Sequence, residues 1–176
     1  MTKRLAIIGR PNVGKSTLFN RLVGKQLAIV HDTPGVTRDW KEAPAKLGDL
    51  RFIAIDTAGI ENAATDVISV GMRKQTEAAL KRADVALLMM DGRDGLTEVD
   101  RTIAKWLRKQ NMPVVLAANK CESGTDLQDI YALGFGNPIA FSAAQGSGLA
   151  DVYEALQPHL ESDDGDDDED DESEKP

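Results

Sequence analysis

Apolar residues gather in short unbroken runs at Leu5 to Ile8, Phe52 to Ile55, Val85 to Met90, Val114 to Ala118 and Ile139 to Phe141. Runs of this length without polar alternation predict strands buried on both faces, as in a parallel sheet. Between them the apolar positions take helical spacing, at about Lys15 to Val23, Val67 to Arg82, Val99 to Gln110, Asp126 to Leu133 and Leu149 to Leu160. Strand and helix alternate, so the pattern predicts an α/β fold with helices on both faces of the sheet. Asp39 to Leu47 is less apolar and runs into the turn signal Gly48-Asp49. It predicts an edge strand in an antiparallel hairpin with Leu50 to Ile55. The sum is about six strands, mostly parallel, with one antiparallel edge strand, and ligands of such sheets bind beyond the carboxyl ends of the strands.

Composition sharpens the boundaries. A chain of 176 residues suits one domain with a sizeable core. The formal charge of -8 is concentrated: 11 of the 29 acidic residues stand at or after Glu161, with only Lys175 against them, which leaves residues 1–160 near neutrality. Residues 161–176 carry no aliphatic or aromatic side chain and cannot offset the entropy of ordering, so they are expected to be a disordered acidic tail after a folded unit at 1–160. A solvated linker is the favoured reading of that tail over an arm competing with RNA. With a balanced body and no basic stripe, strong RNA binding by the domain itself has little support. A single cysteine, Cys121, excludes an internal disulfide framework, and no apolar run approaches the length of a membrane span. Met1 to Ile8 lacks the features of a secretory signal, and a cytoplasmic protein is expected.

Gly9-Arg-Pro-Asn-Val-Gly14-Lys15-Ser16 fits G-x-x-x-x-G-K-[ST] between a predicted strand and a predicted helix. Its glycines allow backbone N–H groups to close around phosphates at a helix N-terminus, Lys15 reaches the β- and γ-phosphates, and Ser16 suits Mg²⁺. Val13 and Thr17 belong to the same nucleotide-binding segment. Asp56-Thr-Ala-Gly59 follows the next parallel strand, 41 residues after Lys15. There a carboxylate can approach Mg²⁺ and the Gly59 N–H can sense a γ-phosphate. Asn119-Lys120-Cys121-Glu122 and Ser142-Ala143-Ala144 follow the last two strands. Together they resemble the guanine-reading pair of GTPases. That resemblance implies Glu122 accepting from guanine N1 and N2, Lys120 covering the base, Asn119 bracing the loops and the Ala143 N–H meeting O6. A site built on such bonds rejects adenine, because a buried carboxylate is then left unpaired. Glu stands at 122 where Asp is usual, which moves the carboxylate outward by a methylene. Between Lys15 and Asp56, the loop Asp32-Thr-Pro-Gly-Val-Thr37-Arg38-Asp39 holds two threonines, Thr33 and Thr37, either able to complete a Mg²⁺ shell when γ-phosphate is present.

The combination of Gly-Arg-Pro-Asn-Val-Gly-Lys-Ser, Asp-Thr-Pro-Gly-Val-Thr-Arg-Asp, Asp-Thr-Ala-Gly-Ile and Met-Asp-Gly-Arg-Asp-Gly-Leu-Thr resembles the first G domain of the EngA/Der tandem ribosome-assembly GTPases, among the TrmE-Era-EngA-like P-loop GTPases. The likeness runs from about Lys3 to Leu160. It implies a Ras-like G domain of the P-loop NTPase fold that binds GTP and GDP with Mg²⁺ and hydrolyses GTP slowly. It also implies a following acidic linker, a second G domain and a KH-like domain, with the large ribosomal subunit or its precursor as partner. It favours Thr37 over Thr33 as the Mg²⁺ ligand. The residue after Gly59 is the apolar Ile60, which cannot orient a water as glutamine does in Ras-like proteins. GTPases with an apolar residue there use potassium held partly by a P-loop asparagine, and Asn12 stands at that position. Lys15, Thr37, Gly59 and Asn12 are therefore the expected catalytic set. The rival readings are a guanine-nucleotide-binding module with negligible hydrolysis and a P-loop ATPase or small-molecule kinase.

Overall fold

The computed structural model describes residues 2–24, 29–30, 41–57, 70–121 and 127–161. Among these residues seven strands form one sheet: β1 (Arg4–Ile8), β2 (Ile29–Val30), β3 (Lys41–Leu47), β4 (Leu50–Asp56), β5 (Val85–Asp91), β6 (Val114–Asn119) and β7 (Ile139–Ala140). The helices among the described residues are α1 (Lys15–Val23), α2 (Val70–Lys81), α3 (Glu98–Arg108), α4 (Gln128–Tyr131) and α5 (Leu149–Leu160). Spatial order is β2-β3-β4-β1-β5-β6-β7. Only β3 runs against its neighbours; the pairs from β4 through β1, β5 and β6 to β7 are parallel.

The α/β class and the single antiparallel strand agree with the sequence pattern. The edge assignment needs correction: Ile29 and Val30 pair with Glu42 and Lys41 outside β3, so β3 is next to the edge over those two positions. A two-residue strand is too short to carry a periodicity. Beyond it β3 is an edge among the described residues, and Pro44, which has no N–H to donate, sits in that stretch opposite Ile53. The hairpin closes through Gly48 (φ 61°) and Asp49, between the paired Leu47 and Leu50.

Alternation along the central strands feeds two cores. Leu5, Ile7, Val85, Leu87 and Met89 face α1 and α5, packing with Leu18, Phe19, Leu22, Val152 and Leu156. Ala6, Ile8, Leu88, Met90 and Leu116 face the opposite side, with Leu80, Ile103 and Leu107. Both faces of β5 are buried throughout, which explains its unbroken apolar run. Each large side chain so buried contributes roughly 1.5–3 kcal/mol.

α3 starts at Glu98, one residue before the predicted Val99, because Thr97 Oγ1 accepts from the Asp100 N–H while the Asp100 carboxylate accepts from the Thr97 N–H. This capping box is worth about 1 kcal/mol. It ends at Arg108 rather than Gln110, as the chain turns into the left-handed Asn111 (φ 56°). α1 and α5 keep their predicted bounds, while α4 is confined to Gln128–Tyr131. Among the described residues no helix is long and apolar enough to cross a membrane. The acidic tail from Ser162 onward lies outside the described residues.

Candidate functional site

The carboxyl ends of β1, β4, β6 and β7 open toward one rim, and the loops that follow them meet around residues Gly9 to Ser16. Gly9 leaves β1 so close to β5 that an added Cβ would stand 2.6 Å from the Met89 carbonyl oxygen. Asn12 (φ 72°) and Gly14 (φ 105°) bend the loop through the left-handed region, and α1 begins at once. Gly14 gives no side-chain cap, and the first turn of α1 holds no acidic residue. The first N–H groups of α1 and its positive dipole end thus face the rim, an arrangement that favours anions. Val13 is buried in the core and anchors the loop from beneath.

Lys15 is 3% exposed and folds back across its own loop. Its Nζ donates to the Gly9 carbonyl at 2.9 Å and to the Arg10 carbonyl at 2.8 Å. A cation is thereby held inside a ring of backbone, positioned rather than solvated. Ser16 Oγ donates to Asp56 Oδ2 at 3.2 Å, joining the start of α1 to the end of β4. An alcohol and a buried carboxylate this close are the hard oxygen donors that Mg²⁺ takes, so these residues fit that ion. Next to them Thr57 Oγ1 donates to the Ile7 carbonyl at 3.0 Å and locks the end of β4 to β1.

Asn119 ties the third and fourth segments to the first. Its Nδ2 donates to the Val13 carbonyl at 2.8 Å, and its Oδ1 accepts the Ala143 N–H at 2.8 Å. Lys120 follows in the left-handed region (φ 64°), and its side chain lies back over the phosphate loop. There Nζ donates to the Asn12 carbonyl at 3.1 Å and pairs with Asp91 Oδ2 at 2.9 Å. The Ser142–Ala144 turn is self-braced: Ser142 Oγ accepts the Gln145 N–H at 3.1 Å and the Ser142 carbonyl accepts the Gly146 N–H at 2.7 Å.

The Ala143 N–H was expected to face a base oxygen. In this structure it donates to Asn119 Oδ1 at 2.8 Å, with Asn119 buried against it. Thr37, Gly59 and Glu122 lie outside the described residues, as do Ile60, Thr33 and Arg38. The remaining site residues, Gly9, Asn12, Val13, Gly14, Lys15, Ser16, Thr17, Asp56, Asn119, Lys120, Ser142, Ala143 and Ala144, stand on these loops, at the strand ends that lead into them or at the start of α1.

Three contributors escaped the sequence reading. Arg21, about two turns into α1, donates from Nε to the Ala143 carbonyl at 2.7 Å and from a terminal nitrogen to the Ala144 carbonyl at 2.9 Å. Nothing in its local sequence announces that. Arg10 lies 3.2 Å from buried Asp100 and 3.3 Å from Asp94, fastening the phosphate loop to the start of α3. Asp91 ends the fully buried β5, and a carboxylate closing such a run is a visible signal. Burial pushes its carboxyl upward, but the bonds from Lys120 and from the Arg93 and Asp94 N–H groups outweigh that and hold it below the usual carboxylate range.

Residues 4–120 match the model of the 50S ribosome-binding GTPase family. GTPase Der of Parvibaculum lavamentivorans is 54% identical over 170 residues, which is 93% of this chain and 36% of that protein. The chain therefore spans about a third of the length of the curated relatives it matches. Among solved structures, an Era variant of Aquifex aeolicus bound to GDP·AlF4⁻ superposes with a TM-score of 0.69 at 27% identity, covering 92% of this chain and 57% of that one. Era in complex with MgGDPNP and a 16S ribosomal RNA segment gives 0.71 at 27% identity, with the same coverage. The chain belongs to the family of 50S ribosome-binding GTPases, and within it is similar to the EngA/Der GTPases that its motifs resemble.

Proposed function

We propose that this chain is a switch domain that binds GTP and GDP with Mg²⁺, hydrolyses GTP, and acts in assembly of the large ribosomal subunit. The observation that carries the reading is the double attachment of Asn119, which fixes the phosphate loop and the two base-side loops as one body. In this reading Gly9 to Thr17 cradle the phosphates, Lys15 neutralises their charge, and Ser16, Asp56 and Thr37 hold Mg²⁺. The ion, when bound, supplies the positive charge that the transferring phosphoryl group needs. The Gly59 N–H senses the γ-phosphate, Glu122 reads guanine with Lys120 beside it, and Ser142 to Ala144 close the base side. Asn12 helps to hold potassium, whose charge near the phosphates takes over part of what Ile60 cannot do. Switching follows from ordering of Asp32 to Asp39 and of the segment after Gly59.

Outside the domain, the family suggests a second G domain and a KH-like domain as neighbours, the large ribosomal subunit as target and the cytoplasm as location. The match to about a third of each relative's length is in keeping with that setting. Turnover of GTP in KCl and NaCl at equal ionic strength, with Asn12→Ala alongside, tests the proposal. Faster turnover in KCl that the variant loses is expected. A potassium response unchanged in the variant removes Asn12 from the mechanism. Displacement of labelled GDP by ATP at comparable concentration defeats the guanine reading. Ile60 also favours a second reading, a nucleotide-binding module with negligible hydrolysis, and absence of turnover in both salts selects it.

A further inference from the structure

Asp91 sits at the carboxyl end of β5, between the phosphate loop and the end of β6, and is 4% exposed. Its two oxygens have different tasks. Oδ1 accepts the Arg93 N–H at 2.9 Å and the Asp94 N–H at 3.2 Å, which shapes the turn after β5. Oδ2 stands 2.9 Å from Lys120 Nζ. The same Nζ bonds the Asn12 carbonyl, so one ammonium bridges a carboxylate on β5 and the crest of the phosphate loop. Behind it the Gly92 N–H donates to the Asn119 carbonyl at 2.7 Å, a second tie between these loops.

We infer that Asp91 is a positioning residue for the nucleotide site: by fixing Lys120 it holds the base-side loop and the phosphate loop in the spacing a purine nucleotide requires. This rests on the guanine-nucleotide reading above. A lysine head on four rotatable bonds contributes more to affinity when its freedom is removed before the ligand arrives, and a buried charge partner removes it. Lys120 stands just past the end of β6, in the left-handed region (φ 64°). The carboxyl held below its usual range agrees with an ionised partner.

Asp91→Asn separates the two tasks. The amide oxygen can keep the Arg93 and Asp94 bonds, while the amide nitrogen faces an ammonium and cannot bond it. Binding of a fluorescent GDP to the full chain is measured for the parent, Asp91→Asn, Lys120→Ala and the double variant. The expected result is about tenfold weaker binding for Asp91→Asn and no further loss when it is added to Lys120→Ala, the pattern of residues acting as one unit. Equal losses in both backgrounds assign Asp91 to the turn alone and overturn the inference, as does unchanged affinity. A parent chain that does not bind GDP defeats the guanine reading itself, and the inference with it. If Asp91→Asn does not fold, Asp91→Ser serves in the same cycle: its hydroxyl can cap the turn but is too short to reach Lys120.

Discussion

Asn119 donates 2.8 Å from Nδ2 to the carbonyl oxygen of Val13, across 106 residues of sequence and at full burial. The end of β6 is thereby fastened to the middle of the phosphate loop, and Oδ1 fastens Ala143 to the other side. Asn119→Ala removes a partner from a buried carbonyl and from a buried N–H, at about 1–3 kcal/mol each. Asn119→Asp keeps an acceptor for Ala143 but sets an oxygen against the Val13 carbonyl. Both variants are expected to lose about 2–4 kcal/mol in urea unfolding and at least a hundredfold in GDP affinity. Parent-like affinity in Asn119→Asp would show that the Val13 bond is dispensable.

Gly14 is left-handed, and a Cβ placed on it meets Asn119 Nδ2 at 2.1 Å. Gly14→Ala therefore strains the backbone and pushes Asn119 off Val13, for a cost of about 2–3 kcal/mol. Its cost is expected to shrink in the Asn119→Ala background, where the obstructing amide is gone. Denaturation of the four proteins in the cycle measures this. Strict additivity would mean that the clash is relieved elsewhere.

What the sequence made legible follows from how local each signal is. Gly9, Gly14 and Lys15 are recognisable because a strand–loop–helix around phosphate needs those residue types at that spacing, and β1, the loop and α1 have that order. β5 was readable because both its faces are buried, and α3 because its apolar side repeats at helical spacing. β2 was not, since two β-branched residues form no pattern, and that omission placed β3 at the edge. The support around the site was hidden for another reason. Arg21 acts on carbonyls 122 and 123 residues away, and Arg10 on carboxylates 84 and 90 residues away, so each looks locally like an ordinary surface charge. Thr97 and Asp100 are the reverse case, a capping pair visible at its i, i+3 spacing that would have set the start of α3 one residue earlier.

Glu42 on β3 and Arg82 just past α2 form a two-pronged pair, with Nε 2.6 Å from Oε2 and a terminal nitrogen 2.9 Å from Oε1. Bonding to Glu42 raises the Arg82 guanidinium further, against the effect of its partial burial. The pair joins the strand that follows residues 31–40 to the helix that follows residues 58–69. Arg82→Ala removes both bonds from a carboxylate that is 7% exposed and is expected to cost about 1–3 kcal/mol. Glu42→Gln added to Arg82→Ala should recover part of that, because the neutral amide is cheaper to bury. A double variant less stable than Arg82→Ala alone contradicts this account.

Asp91 gives the fold a dependence on pH of definite sign. Its folded carboxyl lies below the usual range, burial being outweighed by Lys120 and by the N–H groups of Arg93 and Asp94. In the unfolded chain it titrates near ~3.9. The folded state therefore binds the proton less readily than the unfolded state. The stabilisation is fully present above the unfolded value and disappears as pH falls from there through the lower folded value. Comparing the parent with Asp91→Asn cancels the titration of other carboxylates. The stability difference between them in urea is expected to be constant from about pH 7 to pH 5 and to shrink steadily below about pH 4. A difference that stays level to pH 3, or widens, would mean that Asp91 is not held in its charged form by Lys120.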